Sequence, residues 1–175
     1  EWVEYMTAEN GSMAELRKSN GREKPWKVKY LGVGNESWGC GGNMDPDYYS
    51  DLYKRYAIYC REYDGNRLYK IASGANGGDY NWTKVLMDDI RQDMSGLSFH
   101  FYSVIEWNNK LNATNFPEDE YYNTIAKACE VEQLIRTHSS VMDIYDPHKR
   151  VGLLLDEWGT WYNVEPGTNP GHLFQ

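Results

Sequence analysis

The sequence predicts an α/β protein built from parallel strand–helix repeats, and three observations carry that prediction. Short apolar runs recur along the chain, each bounded by Gly, Asn or Asp. Segments with a period near 3.6 separate them, as crossover helices require. Two of the runs end in a glutamate beside aromatic residues, at strand ends where parallel α/β architecture gathers its chemistry.

The elements follow in order. Residues 1–9 are aromatic and mixed in pattern and remain untyped, while 13–18 carry a turn or two of helix. The first strand is the run Val28-Lys29-Tyr30-Leu31-Gly32-Val33-Gly34-Asn35-Glu36. A Gly-rich loop, Trp38-Gly39-Cys40-Gly41-Gly42-Asn43, suits a site rim. Asp45 or Asp47 caps the next helix, with Pro46 in its first turn. That helix places Tyr49, Leu52, Tyr53, Tyr56, Ala57, Cys60 and Tyr63 on one face and stops at Asp64-Gly65-Asn66. The second strand spans 68–74, and the loop Ala75-Asn76-Gly77-Gly78 follows it. A helix over 82–93 turns Val85, Leu86 and Ile90 to one side. The third strand, 97–103, alternates with period 2. The insert 104–118, rich in Asn and carrying Trp107, reads as a site loop. One long helix over 121–143 buries Ile125, Ala128, Cys129, Leu134, Ile135 and Val141, and the fourth strand, 150–156, leads into Glu157. Beyond Trp161 the chain is polar.

Four strands with three crossovers fit either a small open sheet or part of a (β/α)8 barrel. A complete barrel takes about 250 residues, and this chain has 175. The start without Met and the end in a loop lead us to expect a larger protein cut at both ends.

Composition narrows the function. With 26 Asp and Glu against 18 Lys and Arg, the net charge of −8 argues against nucleic acid and anionic membranes as partners. No apolar stretch reaches the length of a membrane span. Seven Trp and fifteen Tyr furnish either a Tyr-rich core or flat faces for stacking on sugars. Cys40, Cys60 and Cys129 are odd in number and lack CxxC spacing, so neither a disulfide framework nor a zinc site is indicated; Cys60 and Cys129 read as buried helix residues. His138, His148 and His172 have no metal-ligand spacing and read as solvated. The four N-x-S/T sequons, at Asn10, Asn35, Asn81 and Asn112, read as chance matches.

Glu36 and Glu157 are the candidate catalytic pair. Glycoside hydrolysis needs one group to protonate the leaving oxygen and another to attack or stabilise the anomeric carbon. Carboxyl groups about 5–5.5 Å apart retain the anomeric configuration, and a spacing of about 6.5–9.5 Å inverts it. Asn35 has an amide suited to a sugar hydroxyl. His100 and Tyr102 alternate with Phe99 and Phe101, so both face one side of the third strand. They either line the mouth, with Tyr102 bonded to the nucleophile, or are satisfied polar groups inside a barrel.

The segments Tyr30-Leu31-Gly32-Val33-Gly34-Asn35-Glu36-Ser37-Trp38-Gly39 and Leu155-Asp156-Glu157-Trp158-Gly159-Thr160-Trp161-Tyr162 resemble the two catalytic segments of α-L-arabinofuranosidases of glycoside hydrolase family 51. Trp2-Val3-Glu4-Tyr5 and Ser98-Phe99-His100-Phe101-Tyr102-Ser103 are similar to that family too.

The resemblance implies a partial (β/α)8 TIM barrel, about strands 4 to 7 with their helices. Residues 1–175 would be a fragment of one catalytic domain, lacking the barrel start, the last strand and a C-terminal β-sandwich. Glu36 would be the acid/base and Glu157 the nucleophile of a double displacement. Asn35, Tyr102, Trp161, His100 and Trp38 would bind substrate, with no metal or other cofactor. The implied substrate is an arabinofuranosyl-containing oligo- or polysaccharide of hemicellulose or pectin. The parent would be cytoplasmic or secreted, and homo-oligomerisation is open to it. The fragment alone would be poorly stable and inactive. Two further readings are another retaining (β/α)8 glycosidase, such as a β-xylosidase or endoglucanase, and a carbohydrate-binding protein without turnover.

Overall fold

The computed structural model describes residues 1–167. His172 lies outside the described residues. Four strands, β1 (Tyr30–Val33), β2 (Tyr69–Asn76), β3 (Gly96–Tyr102) and β4 (Gly152–Gly159), form one sheet in the order β1-β2-β3-β4, and every pairing is parallel. Sequential neighbours joined by helices are the pattern of a (β/α)8 barrel wall, and the chain is accordingly an α/β segment of such a barrel.

The helices are α1 (Trp2–Thr7), α2 (Ser12–Ser19), α3 (Pro46–Ala57), α4 (Tyr80–Asp89), α5 (Glu118–Cys129) and α6 (Val131–Tyr145). None is long and apolar enough to cross a membrane. Asp45 caps α3 by accepting a bond from the Tyr48 amide, and Pro46 opens the helix, as the sequence predicts. Asp79 caps α4 through the Trp82 amide, so α4 begins two residues earlier than its apolar pattern suggests. The main core packs Tyr49, Tyr53, Trp82, Leu86, Met87 and Met142 against Leu97 and Phe99 of β3.

Several expectations are corrected. The untyped residues 1–9 form α1, while the helical turns expected over 13–18 are present as α2, and Arg17 pins the two together. This fully buried guanidinium donates to the carbonyls of Tyr5, Ala8, Arg22 and Glu23, so its charge is met by backbone dipoles. Helix α3 ends at Ala57, not Tyr63, and Tyr56 is exposed. Cys60 and Tyr63 leave the helical face and pack on a second small cluster of Val3, Leu31 and Leu68. The single helix over 121–143 is two helices, separated where the Glu130 amide bonds to the Lys127 carbonyl in a tightened turn. Their inner positions differ from those expected: Ile125, Cys129 and Ile135 are exposed, while Thr124, His138 and Met142 are buried.

His138 is the clearest correction. It is fully buried, with Nδ1 2.8 Å from the Thr83 hydroxyl and Nε2 2.7 Å from the Gly77 carbonyl. Burial lowers its pKa, so it stays neutral and ties α6 to α4 and to the turn after β2. His148 is exposed, as expected.

Two bulges shape the sheet. In β2, Ala72 pairs with Leu97 but Ala75 with Phe99, so one extra residue sits between them. Gly74 is required there, since a Cβ would lie 1.6 Å from the Ser98 carbonyl oxygen. In β4, Leu155 opposes Phe99 and Glu157 opposes His100, which makes Asp156 the additional residue.

Candidate active site

The site assembles at the carboxyl ends of β1, β3 and β4. Beyond β1 the chain turns sharply, and Glu36 takes φ +44, in the left-handed region that residues other than Gly rarely occupy. Such a conformation costs on the order of 1–3 kcal/mol and persists when its surroundings enforce it. Here they do. The amides of Gly39 and Gly41 both donate to the Glu36 carbonyl, and the Met44 amide donates to the Ser37 carbonyl. A Cβ at Gly41 would lie 1.7 Å from the Asn35 carbonyl oxygen, so the Gly-rich loop closes only with glycine at this point. Buried Ser37 anchors the turn to the sheet through its amide and the Ser73 hydroxyl.

Strand β4 supplies the opposing acid. It continues through Glu157 to Gly159, beyond the predicted end at Asp156, because β3 keeps pairing with it as far as Tyr102. Glu157 thus projects from a paired strand rather than from a loose end.

His100 lies between the two glutamates. Its Nδ1 is 2.9 Å from Glu36 Oε1 and 3.4 Å from Glu157 Oε2, and its Nε2 is 3.2 Å from Asp156 Oδ1. Burial disfavours charge on the ring. The bonds to Asp156 and Glu36 and the charge of Glu157 outweigh that effect and raise its pKa to about 9. The Tyr102 hydroxyl donates to Glu157 Oε1 at 2.5 Å. Burial and that bond raise the phenol's pKa, which keeps it a donor. The Cys40 thiol donates to Glu36 Oε2 at 3.1 Å, and this bond raises the thiol's pKa.

One ligand-type atom each from Glu36, His100 and Glu157 lies within 4.8 Å of the others. That spacing would also suit a metal ion. One oxygen of each carboxylate thus lies within 4.8 Å of the other, just under the roughly 5–5.5 Å of retaining glycosidases and well short of the spacing of inverting ones.

An aromatic wall stands beside the acids. Tyr102, Trp107 and Trp161 form a triangle with ring centroids 5.8, 6.1 and 6.0 Å apart. Lys110 Nζ lies 5.7 Å from the ring centres of both Trp107 and Trp161. Asn163 and Glu165 fasten the insert 104–118 to the segment after β4, through Leu111 and Thr114 respectively. The structure therefore brings Glu36, His100, Tyr102, Glu157 and Trp161 together. Asn35 is exposed at the start of the turn, and Trp38 is half-buried against the main core. Trp107, Cys40 and Asp156 were missed as site residues. The Asn-rich insert that carries it signalled the first, whereas the bulge that delivers Asp156 has no sequence signature.

The family model described as "Alpha-L-arabinofuranosidase 1 domain" matches residues 1–115. The chain is 60% identical to an intracellular exo-α-L-arabinofuranosidase of Bacteroides ovatus, over 99% of its own length and 34% of that protein. A GH51 arabinofuranosidase from Xanthomonas axonopodis pv. citri superposes with a TM-score of 0.93 at 45% identity, covering 97% of this chain and 35% of that one. The α-L-arabinofuranosidase of Thermotoga maritima, solved as an arabinose complex, gives a TM-score of 0.74 at 28% identity, covering 94% and 32%. The chain thus spans about a third of the length of these relatives. It belongs to the α-L-arabinofuranosidases of glycoside hydrolase family 51.

Proposed function

We propose that the protein containing this chain releases terminal α-L-arabinofuranosyl residues by a retaining double displacement, and that residues 1–175 are one part of its (β/α)8 catalytic domain. The observation that carries the reading is the approach of Glu36 and Glu157 to within 4.8 Å across His100. Family membership favours this activity over β-xylosidase, endoglucanase or turnover-free binding.

In the first step a Glu157 oxygen attacks C1 of the sugar while Glu36 gives its proton to the glycosidic oxygen. The C1–O bond breaks, the aglycone leaves as an alcohol, and an ester joins the sugar to Glu157. In the second, Glu36 takes a proton from water as the water oxygen attacks C1, which frees arabinose and returns Glu157 to a carboxylate. Tyr102 holds Glu157 in one orientation by donating to Oε1, while Oε2 lies 3.4 Å from His100 Nδ1. Asn35 and Trp161, with the uncovered part of the Trp38 ring, meet the sugar. No cofactor takes part. The substrate is an arabinofuranosyl-bearing oligo- or polysaccharide, and the name of the Bacteroides relative supports action inside the cell.

Replacing each glutamate in the full-length protein tests the assignment. Glu157→Ala should abolish turnover of an aryl arabinofuranoside, and azide should rescue it with inverted product configuration. Glu36→Ala should retain activity only on substrates with good leaving groups. Unaltered turnover in either variant would refute the assignment.

A further inference from the structure

We propose that Asp156 is a positioning residue, delivered by the β4 bulge, that fixes the His100 ring between Glu36 and Glu157. This deepens the function proposed above and rests on it. An ordinary strand turns alternate residues to opposite faces, so Asp156 and Glu157 would point away from one another. The bulge suspends that rule: both lie opposite His100, and both reach its ring.

Counting donors gives the consequence. Nε2 faces Asp156 and Nδ1 faces Glu36, with Glu157 beside it. Asp156 on one side and the nucleophile Glu157 on the other both accept as carboxylates, so the ring serves both only as imidazolium, with an N–H on each nitrogen. The charged groups facing it are Glu36, which also accepts from Cys40, Glu157, which also accepts from Tyr102, and Asp156. The raised pKa of His100 agrees with this count. The ring then places one positive charge beside the nucleophilic carboxylate. It favours the ionised nucleophile while Tyr102 fixes its orientation. The Asp156 carboxylate bonds to the ring and works through it.

Asp156→Asn removes the charge and keeps the shape, and Asp156→Ser is a second neutral variant at a part-exposed position. Both are made in the full-length enzyme beside Asp156→Glu. Nitrogen-15 histidine NMR reads the protonation of His100, whose signals are identified by their loss in His100→Gln. The pH profile of kcat/KM on an aryl arabinofuranoside is measured in parallel. The expected result is a doubly protonated ring at pH 8 in the parent and the Glu variant, and a neutral ring in the Asn and Ser variants. In those two, the acidic limb of the profile should move up by about one pH unit, since the positive charge beside the site is lost and a neighbouring charge is worth about 1–3 units. A merely structural loss would lower the rate without moving the limb. A ring still doubly protonated in both neutral variants, or superposable profiles, would overturn the proposal. If the parent cleaves no arabinofuranoside, the proposed function falls, while the NMR comparison still decides the role of Asp156.

Discussion

Glu36 and Glu157 were legible as a pair because each ends an apolar run in a polar, aromatic context. Their relation to His100 was not, because no sequence rule sets the distance between side chains on β1, β3 and β4. Tyr102 shows what alternation can and cannot say. Period 2 puts it on the same face as His100, but its bond to Glu157 depends on the strand register. Removing that hydroxyl leaves a carboxylate without its donor, which costs about 1.5–3 kcal/mol for a bond to a charged group. Tyr102→Phe in the full-length enzyme should therefore lower kcat/KM on an aryl arabinofuranoside roughly 10- to 100-fold. His100 makes a second prediction. Its folded pKa of about 9 lies above the usual value of 6.5, so its contribution to stability is fully present below pH 6.5 and fades as pH rises toward 9. Thermal unfolding of the full-length enzyme across that window should fall more steeply than that of His100→Gln. Parallel curves would contradict the charged ring.

Helix caps and the start of α3 followed from Asp45 and Pro46, since capping chemistry is local. Helix ends and inner faces did not. The 121–143 segment contains enough apolar residues to propose several faces, and the neutral, hydrogen-bonded His138 lies on the buried one. Strand bulges escaped entirely. The β2 bulge makes Gly74 indispensable, because a methyl group would meet the Ser98 carbonyl. Gly74→Ala should destabilise the enzyme by roughly 1–3 kcal/mol, as overpacking does, measurable by urea denaturation. The insert 104–118 presents Trp107, which is 51% exposed, next to Trp161. Exposed aromatic faces beside the acids suit the part of the substrate beyond the scissile bond. Trp107→Ala should raise KM several-fold for arabino-oligosaccharides and leave KM for a small aryl arabinofuranoside within about twofold, a loss of roughly 0.5–1.5 kcal/mol of aromatic contact. Equal effects on both substrates would assign the ring to packing against Tyr102 instead.

Four parallel strands describe a wall, and a pocket needs more than a wall. Among the described residues, β1 and β4 each pair on one side only, and the chain spans about a third of its relatives' length. A sugar bound at Glu36 and Glu157 would be open to water on the flanks that neighbouring strands would cover. The 175-residue polypeptide expressed alone should consequently give no measurable turnover of an aryl arabinofuranoside and should unfold with low cooperativity. The full-length enzyme should be active under the same conditions. Normal activity of the isolated chain would show that these strands suffice.

Local chemistry was enough to announce the alternating strands and helices, the capped start of α3, the aromatic insert and the two acids, because each depends on neighbours within a few residues. Placement across the sheet was beyond it. The 4.8 Å approach of Glu36, His100 and Glu157, the neutral burial of His138 and the arrival of Asp156 at the His100 ring all arise from register and bulges between strands distant in sequence. One inserted residue in a strand reverses which side chains face the mouth, and neither periodicity nor composition records that change.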